Sequence, residues 1–245
     1  MIPSEKVKYI SNWIKSYVDQ MPTKAESLVI GISGGIDSSV SSTLSAMTGL
    51  KTIVLSMPIK QKENQHDLSL KHQKWLVEKF KNVEAHTISL DNLFKTFSST
   101  LNKFDNEHGF ANSRARLRMT TLYQVAAANK GIVVGTGNKV EDFGVGFYTK
   151  YGDGGVDISP IADCNKTQVW ELGKELGILK EIIDAPPTDG LWDDGRTDEG
   201  QLGFKYQDLE DAMINSDSPH KAEYEKIRKQ NLHKMEPIPV CKIPS

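Results

Sequence analysis

The chain has 245 residues, a formal charge of −2 at pH 7, and 25% charged against 38% hydrophobic residues. That composition excludes a disordered chain and is long enough to bury a full α/β core. The negative balance argues against nucleic acid as the main partner, because phosphate contacts need a basic face. Two cysteines, Cys164 and Cys241, give neither a disulfide framework nor a CxxC pair. No apolar run approaches the ~18 residues of a membrane span, and no signal-peptide pattern opens the chain. The expectation is a reduced, cytoplasmic protein with no membrane partner.

In chain order, Val7, Ile10, Ile14, Tyr17, Val18 and Met21 fall at helical spacing over residues 4–21, which Pro22 closes. This amphipathic helix covers either a core or a subunit contact. A strand at 27–32 leads through a turn of small residues into a helix from Ile36 to about Thr48, with Gly49 placed to end it. Residues 52–58 form a short apolar run of the kind a parallel strand buried on both faces requires. A polar helix carrying Leu68, Trp75, Leu76 and Phe80 precedes a strand-like stretch at 83–90; Asp91 or Asn92 then caps a short helix. A helix over 112–129 leads to Ile132-Val133-Val134-Gly135, the last strand candidate. Strands alternating with helices predict a doubly wound parallel α/β sheet.

Beyond residue 135 the character changes. Residues 136–160 are glycine-rich and read as a long loop, which in a compact domain is usually functional. Asn165-Lys166 opens a helix to Leu176-Gly177, and Ala185-Pro186-Pro187 stops a second short one. Residues 188–203 are polar and aperiodic, the pattern of a mobile lid. Ser218-Pro219 starts a last helix, and a proline-rich tail follows. The organisation expected is one domain over 1–245, with a core at 22–185, the mobile loop 188–203, and a helical C-terminal extension with its tail at 204–245.

The chemistry concentrates at Ser33-Gly34-Gly35-Ile36-Asp37-Ser38-Ser39, between the first strand and its helix. Such a turn aims backbone N–H groups and a helix N-terminus at an anion. Gly34 and Gly35 permit positive φ and close approach. Asp37 is the misfit, a carboxylate in a phosphate cradle, which makes sense if a divalent cation bridges the two. A Walker A loop is excluded, since no lysine occurs between Lys24 and Lys51, and so is the dinucleotide fingerprint G-x-G-x-x-G.

The loop resembles the pyrophosphate loop of the ATP pyrophosphatases. Five further segments, Asn112–Met119, Gly135–Glu141, Gly146–Asp157, Asn165–Gln168 and Pro187-Thr188, are similar to the NAD synthetases, as is His233-Lys234-Met235. These motifs lie in order along nearly the whole chain. The length leaves no room for the glutaminase domain of glutamine-dependent members, so the resemblance is to the ammonia-dependent class. It implies an adenine nucleotide alpha hydrolase-like, Rossmann-like fold and a homodimer. It also implies ATP- and Mg²⁺-dependent amidation of deamido-NAD by ammonia to NAD⁺, through an acyl adenylate, with release of AMP and pyrophosphate.

The resemblance also implies roles. ATP falls to Gly31, Ile32, Ser33, Gly34, Gly35, Ile36, Asp37, Ser38, Thr136, Lys166 and Thr188. Mg²⁺ falls to Asp37 and Glu141, and deamido-NAD to Arg116, Lys150, Asp157, His233 and Lys234. Catalysis rests on Asp37, Lys166 and Asp153, the last serving ammonia. The segment from Gly135 to Lys150 is one residue longer than in many relatives. Counting forward from Gly135 selects Glu141 as the metal ligand, and counting back from Lys150 selects Asp142; the forward count is preferred.

Taken singly, these residues have plainer readings. Arg114 and Arg118 read as solvated helix arginines, and Asp153 sits in a stretch that forms an ordinary Asp-Gly turn. A tRNA thiolase or lysidine synthase would share the loop but needs a basic face, and thiolases usually need reactive cysteines as well. A non-enzymatic ATP sensor would have no use for Asp37, Glu141 and Asp153 together.

Overall fold

A computed structural model of the chain describes residues 1–60, 63–188, 191 and 197–244. Four parallel strands, β1 (Ser27–Gly31), β2 (Lys51–Ser56), β3 (Val83–Thr87) and β4 (Gly131–Val133), form one sheet in the order β3-β2-β1-β4. The register is set by Ser27 opposite Lys51 and Gly131. Side chains of β1 alternate between two cores, with Leu28 and Ile30 on one face and Val29 on the other. Both faces are therefore covered, as a parallel sheet requires.

On the Leu28 face pack α1 (Pro3–Gln20), α2 (Ile36–Met47), α3 (Glu63–Lys79) and, later in the chain, the helix Lys166–Leu176. On the Val29 face lie α4 (Asp91–Thr100) and α5 (Glu107–Ala128). The N-terminal helix covers the core: Val7, Ile10, Ile14 and Val18 are buried, while Tyr17 is 41% exposed. The helix α2 is buried despite its serines. Thr43 and Ser45 return their hydroxyls to carbonyls one turn back, at Ser39 and Ser41, which removes the cost of burying them.

The doubly wound expectation holds, with local differences. Strand β3 ends at Thr87, and its Glu84, His86 and Thr87 are exposed. Asp91 is the first residue of α4 and accepts from the Lys60 N–H rather than capping the helix. The last helix opens at Lys221 behind the turn that Ser218 begins.

The largest departure lies in residues 136–160, which contain a seven-residue π-helix, Lys139–Val145. After it come α6 (Lys166–Leu176), α7 (Lys180–Ile183), α8 (Asp198–Leu202), α9 (Tyr206–Ile214) and α10 (Lys221–Met235). The extension has its own small core, in which Tyr206, Leu209, Ala212 and Tyr224 pack on Val140 and Val145 of the π-helix. Of the expected lid, residues 188, 191 and 197–203 are described, the last group including α8; 189, 190 and 192–196 lie outside the described residues. Among the described residues no helix is long and apolar enough to cross a membrane.

Candidate active site

The chain leaves β1 toward β2 on one side and returns to β4 on the other. Between β1 and β4 the connection order reverses, and the crevice at their C-terminal ends is where open α/β sheets take ligands. The loop after β1 and the segment after β4 both open there. Gly31, Ile32, Ser33, Asp37 and Ser38 line a cavity with Thr136, Glu141, Asp142, Asp153 and Thr188, so ten of the residues singled out from the sequence share one space.

The glycine–serine loop is held by its own hydroxyls. The Ser33 N–H donates to Ser38 Oγ at 3.2 Å, the Gly35 N–H to Ser33 Oγ at 3.2 Å, and Ser38 Oγ to the Gly35 carbonyl at 3.0 Å. Gly34 has φ +90°, which L side chains rarely adopt. Gly35 has φ −86° as the residue preceding α2, so only one of the two glycines uses that freedom.

Lys166 stands behind the loop. Asn165 and Gln168 form a capping box that starts α6 at Lys166. Its side chain is 1% exposed, and Nζ lies 2.5 Å from Asp37 Oδ2 and 2.9 Å from Glu141 Oε1. Burial lowers the affinity of Lys166 for its proton, but the two carboxylates outweigh it and hold the pKa above its usual value. Burial raises the Asp37 pKa, against the pull of Lys166. Glu141 stays below the usual carboxylate value, because Lys166 and the Tyr206 hydroxyl overcome its burial. One ammonium thus faces two carboxylates, a cluster of net charge −1.

Asn138, buried and unassigned from sequence, organises this cluster. Its Nδ2 donates to Asp37 Oδ1 at 3.1 Å, and its Oδ1 accepts from the N–H groups of Val140 and Glu141. It therefore caps the π-helix and tethers it to the phosphate-type loop. A side chain at an N-cap of this kind is legible in sequence only when the helix behind it is predicted, and a π-turn gives no such signal.

The π-helix also bears on the register. A π-turn accommodates an additional residue and is frequent at functional sites. It points Glu141 at Lys166 and sends Asp142 under Gly137, where a Cβ would meet the Asp142 carboxylate at 1.8 Å. Burial, and then Asp153, Glu141 and Asp37, hold Asp142 well above the usual carboxylate range. We expect Glu141→Gln to raise the Mg²⁺ concentration needed for half-maximal activity by at least tenfold, and Asp142→Asn by less than threefold, as read from Mg²⁺ titrations of initial rate. The reverse order would place the metal on Asp142.

Arg116, Lys150, Asp157, His233 and Lys234 sit outside the cavity lining. The guanidinium of Arg116 donates to the Lys150 carbonyl at 3.3 Å, and Lys150 Nζ to the His233 carbonyl at 3.0 Å. Lys234 Nζ donates to the Tyr148 carbonyl at 2.9 Å while the Tyr148 hydroxyl returns to the Lys234 carbonyl at 2.5 Å. Burial pulls the Lys234 ammonium below its usual value, with Asp153 and Asp142 opposing. Asp157 accepts from the Val133 N–H at 2.7 Å and from the Tyr123 hydroxyl at 3.0 Å, bracing the end of β4. These contacts tie the loop 146–157 to α5 through Arg116 and Tyr123, to β4 through Val133, and to α10 through the backbone of His233 and Lys234 and the Lys234 side chain.

Arg114 and Arg118 are not solvated. Arg114 is buried, donates to the Leu191 carbonyl and lies over the Phe94 ring, and Arg118 lines the cavity and donates to the Met57 carbonyl. The helical repeat explains the miss: residues two apart point to different sides, and Arg116 occupies the outer one.

Two oxygen ligands beside an anion cradle suit Mg²⁺, which takes one or two carboxylates and completes its shell with phosphate and water. Among the described residues no group of three or more His, Cys, Asp or Glu is arranged to hold a metal. Fold and site together define a nucleotide-handling α/β protein in which carboxylates and a lysine converge on a phosphate loop. The NAD synthase family model matches residues 6–243. The NH(3)-dependent NAD(+) synthetase of Carboxydothermus hydrogenoformans is 36% identical over 87% of this chain and 86% of its own length. That of Syntrophomonas wolfei is 33% identical over 100% and 98%. Among solved structures, the NMN synthetase of Francisella tularensis is 33% identical with a TM-score of 0.89, over 99% of this chain and 100% of that one. The NH3-dependent NAD synthetase of Campylobacter jejuni has a TM-score of 0.79 at 23% identity, over 99% and 100%, and shows the shared fold. The chain belongs to the NAD synthase family and is an enzyme, a ligase of NAD biosynthesis.

Proposed function

We propose that this ligase amidates the nicotinate carboxylate of deamido-NAD with ammonia, using ATP and Mg²⁺. The observation that carries the reading is the junction of Asp37, Glu141 and Lys166 beside the glycine–serine loop. In the first step a carboxylate oxygen of the substrate attacks the α-phosphorus, and the bond to the bridging oxygen breaks to release pyrophosphate. In the second, ammonia attacks the acyl carbon, the carbon–oxygen bond to AMP breaks, and a proton leaves the nitrogen. Mg²⁺ held by Asp37 and Glu141 would neutralise phosphate charge. The loop N–H groups, Ser33, Ser38 and Thr136 would orient the phosphates, and Lys166 would release its carboxylates to meet the developing charge. Thr188 would contact ATP from the cavity edge. Arg116, Lys150, Asp157, His233 and Lys234 would bind the acid nucleotide, with Arg116, Lys150 and Lys234 exchanging their present carbonyl partners for it. A homodimer, a cytoplasmic location and one catalytic unit across 1–245 belong to the same proposal.

A second acceptor has a specific observation in its favour. The Francisella tularensis enzyme matched end to end makes NMN by its name, so nicotinate mononucleotide is the alternative acid. The test is a product assay with ATP, Mg²⁺, ammonium and either acid. Stoichiometric amide, AMP and pyrophosphate are expected with one of them, and the ratio of kcat/KM values identifies which. ADP and phosphate, or pyrophosphate formed without any acid, would overturn the reading. The second outcome is also what a sensor with adventitious hydrolysis would give.

Asp153 is proposed to hold ammonium and assist its deprotonation. Its Oδ1 accepts from the Thr149 N–H at 2.9 Å, a turn contact that asparagine keeps. Asp153→Asn removes the charge while retaining that contact. Single-turnover pyrophosphate release should stay within about threefold of wild type, while amide formation slows by roughly 10²-fold. Equal losses in both steps would reduce Asp153 to a turn residue.

A further inference from the structure

Tyr206 lies outside every motif of the sequence reading, in the C-terminal extension, and yet touches the charged cluster on two sides. It is the first residue of α9 and is 1% exposed. Its hydroxyl donates to Glu141 Oε1 at 2.5 Å, the same oxygen that Lys166 Nζ contacts at 2.9 Å. The Asp198 carboxylate is farther, at 3.3 Å, so the single phenol hydrogen goes to Glu141. The ring face meets the other partner, with Lys166 Nζ 4.9 Å from its centroid, a cation–π distance. Trp170 packs edge-on at 5.9 Å and 86° and fixes the ring plane.

The arrangement constrains both charges. A glutamate side chain has three rotatable bonds, and a donor and an ammonium on Oε1 restrict all of them. The carboxylate so held lines the cavity together with Asp37 and the phosphate-type loop. The ring, by supporting the ammonium, keeps Lys166 within reach of both carboxylates. The extension explains how this is built: Leu209 and Ala212 seat α9 against Val140 and Val145 of the π-helix that bears Glu141.

We propose that Tyr206 is a positioning residue for the divalent cation, setting its affinity by orienting Glu141 through the hydroxyl and holding Lys166 with the ring. The inference rests on the assignment of Mg²⁺ to Asp37 and Glu141 above. Outer-shell partners of metal-binding carboxylates are typically worth 10–100-fold in metal affinity.

Mn²⁺ is a suitable probe, because its free form is measured directly by electron paramagnetic resonance without turnover. Binding would be measured with a non-hydrolysable ATP analogue on wild type, Tyr206→Phe and Glu141→Gln, alongside the melting temperature. Tyr206→Phe keeps the ring and removes only the donor. We expect it to melt within a few degrees of wild type and to bind Mn²⁺ about tenfold more weakly, with kcat at saturating metal within threefold. Tyr206→Leu, which loses the ring as well, should weaken binding further. Weakening by Glu141→Gln without any in Tyr206→Phe would overturn the role of Tyr206 while leaving the metal assignment intact. No enzyme-dependent Mn²⁺ binding in wild type beyond that of the free analogue would remove the metal assignment itself. Loss of cooperative melting in Tyr206→Phe would make the hydroxyl a folding element and also overturn the proposal.

Discussion

Lys166→Met is expected to lower kcat/KM by about 10²–10³-fold, the effect of removing one preorganised charge stabiliser, and to destabilise the protein besides. Lys166 is buried and pairs with both Asp37 and Glu141. Methionine fills much of the stem volume but leaves two neighbouring carboxylates without a cation. Breaking a buried pair by deleting one partner costs about 3–5 kcal/mol, which for a chain of this length lowers Tm by roughly 10 °C.

The pH dependence follows from the same contacts. In wild type the Lys166 pKa is raised above 10.5 in the folded state, so its stabilisation is fully present below the unfolded pKa and is lost only as pH rises through the folded one. Between pH 6 and 9 that contribution is flat. In Lys166→Met one carboxylate of the pair is pushed upward by the other. A raised carboxylate binds more protons folded than unfolded, so stability falls as pH rises between those two values. The deficit in Tm should therefore be smaller at pH 5 than at pH 8. Melting curves across that range check it, and an unchanged Tm with activity within tenfold of wild type would contradict the role given to Lys166.

Asp37→Asn is the second large effect. In the structure Asp37 accepts from two donors, Lys166 Nζ on Oδ2 and Asn138 Nδ2 on Oδ1. Asparagine has one acceptor oxygen, so one of those contacts becomes donor against donor, at a cost of about 1–3 kcal/mol. The larger consequence is chemical, because the variant removes the carboxylate expected to share Mg²⁺ with the triphosphate. Nucleotide binding should persist through the loop N–H groups, while Mg²⁺-dependent turnover falls roughly 10²–10³-fold. Equilibrium binding of an ATP analogue, set against initial rates at several Mg²⁺ concentrations, separates the two. Near-normal turnover at ordinary Mg²⁺ would remove Asp37 from the metal.

Much of this site is legible in the sequence. The phosphate-type loop is local in sequence, and the strand before it and helix after it are strongly patterned, so Ser33, Asp37 and Ser38 could be placed together on chemical grounds. Lys166 could be located at a helix start by Asn165 and Gln168, though its burial between two carboxylates depends on a contact 129 residues away along the chain. The elements with irregular backbone were not legible. A π-helix has no hydrophobic period of its own, so the segment holding Asn138, Glu141 and Asp142 read as loop. Tyr206 was invisible for a related reason: its function depends on α9 docking against that same π-helix. The arginines on α5 were ranked wrongly by exposure, because a helix of low amphipathic contrast gives no face to read.

The central claim is that an acid nucleotide's carboxylate attacks the α-phosphorus of ATP at this cluster. It is tested most directly by following oxygen. With deamido-NAD or nicotinate mononucleotide labelled with ¹⁸O in the carboxylate, and unlabelled ATP, Mg²⁺ and ammonium, the amide forms as the carbon–oxygen bond to AMP breaks. One ¹⁸O should therefore appear in the phosphate of AMP for each amide made, and none in pyrophosphate. Label in pyrophosphate or inorganic phosphate, or unlabelled AMP alongside stoichiometric amide, would contradict the account.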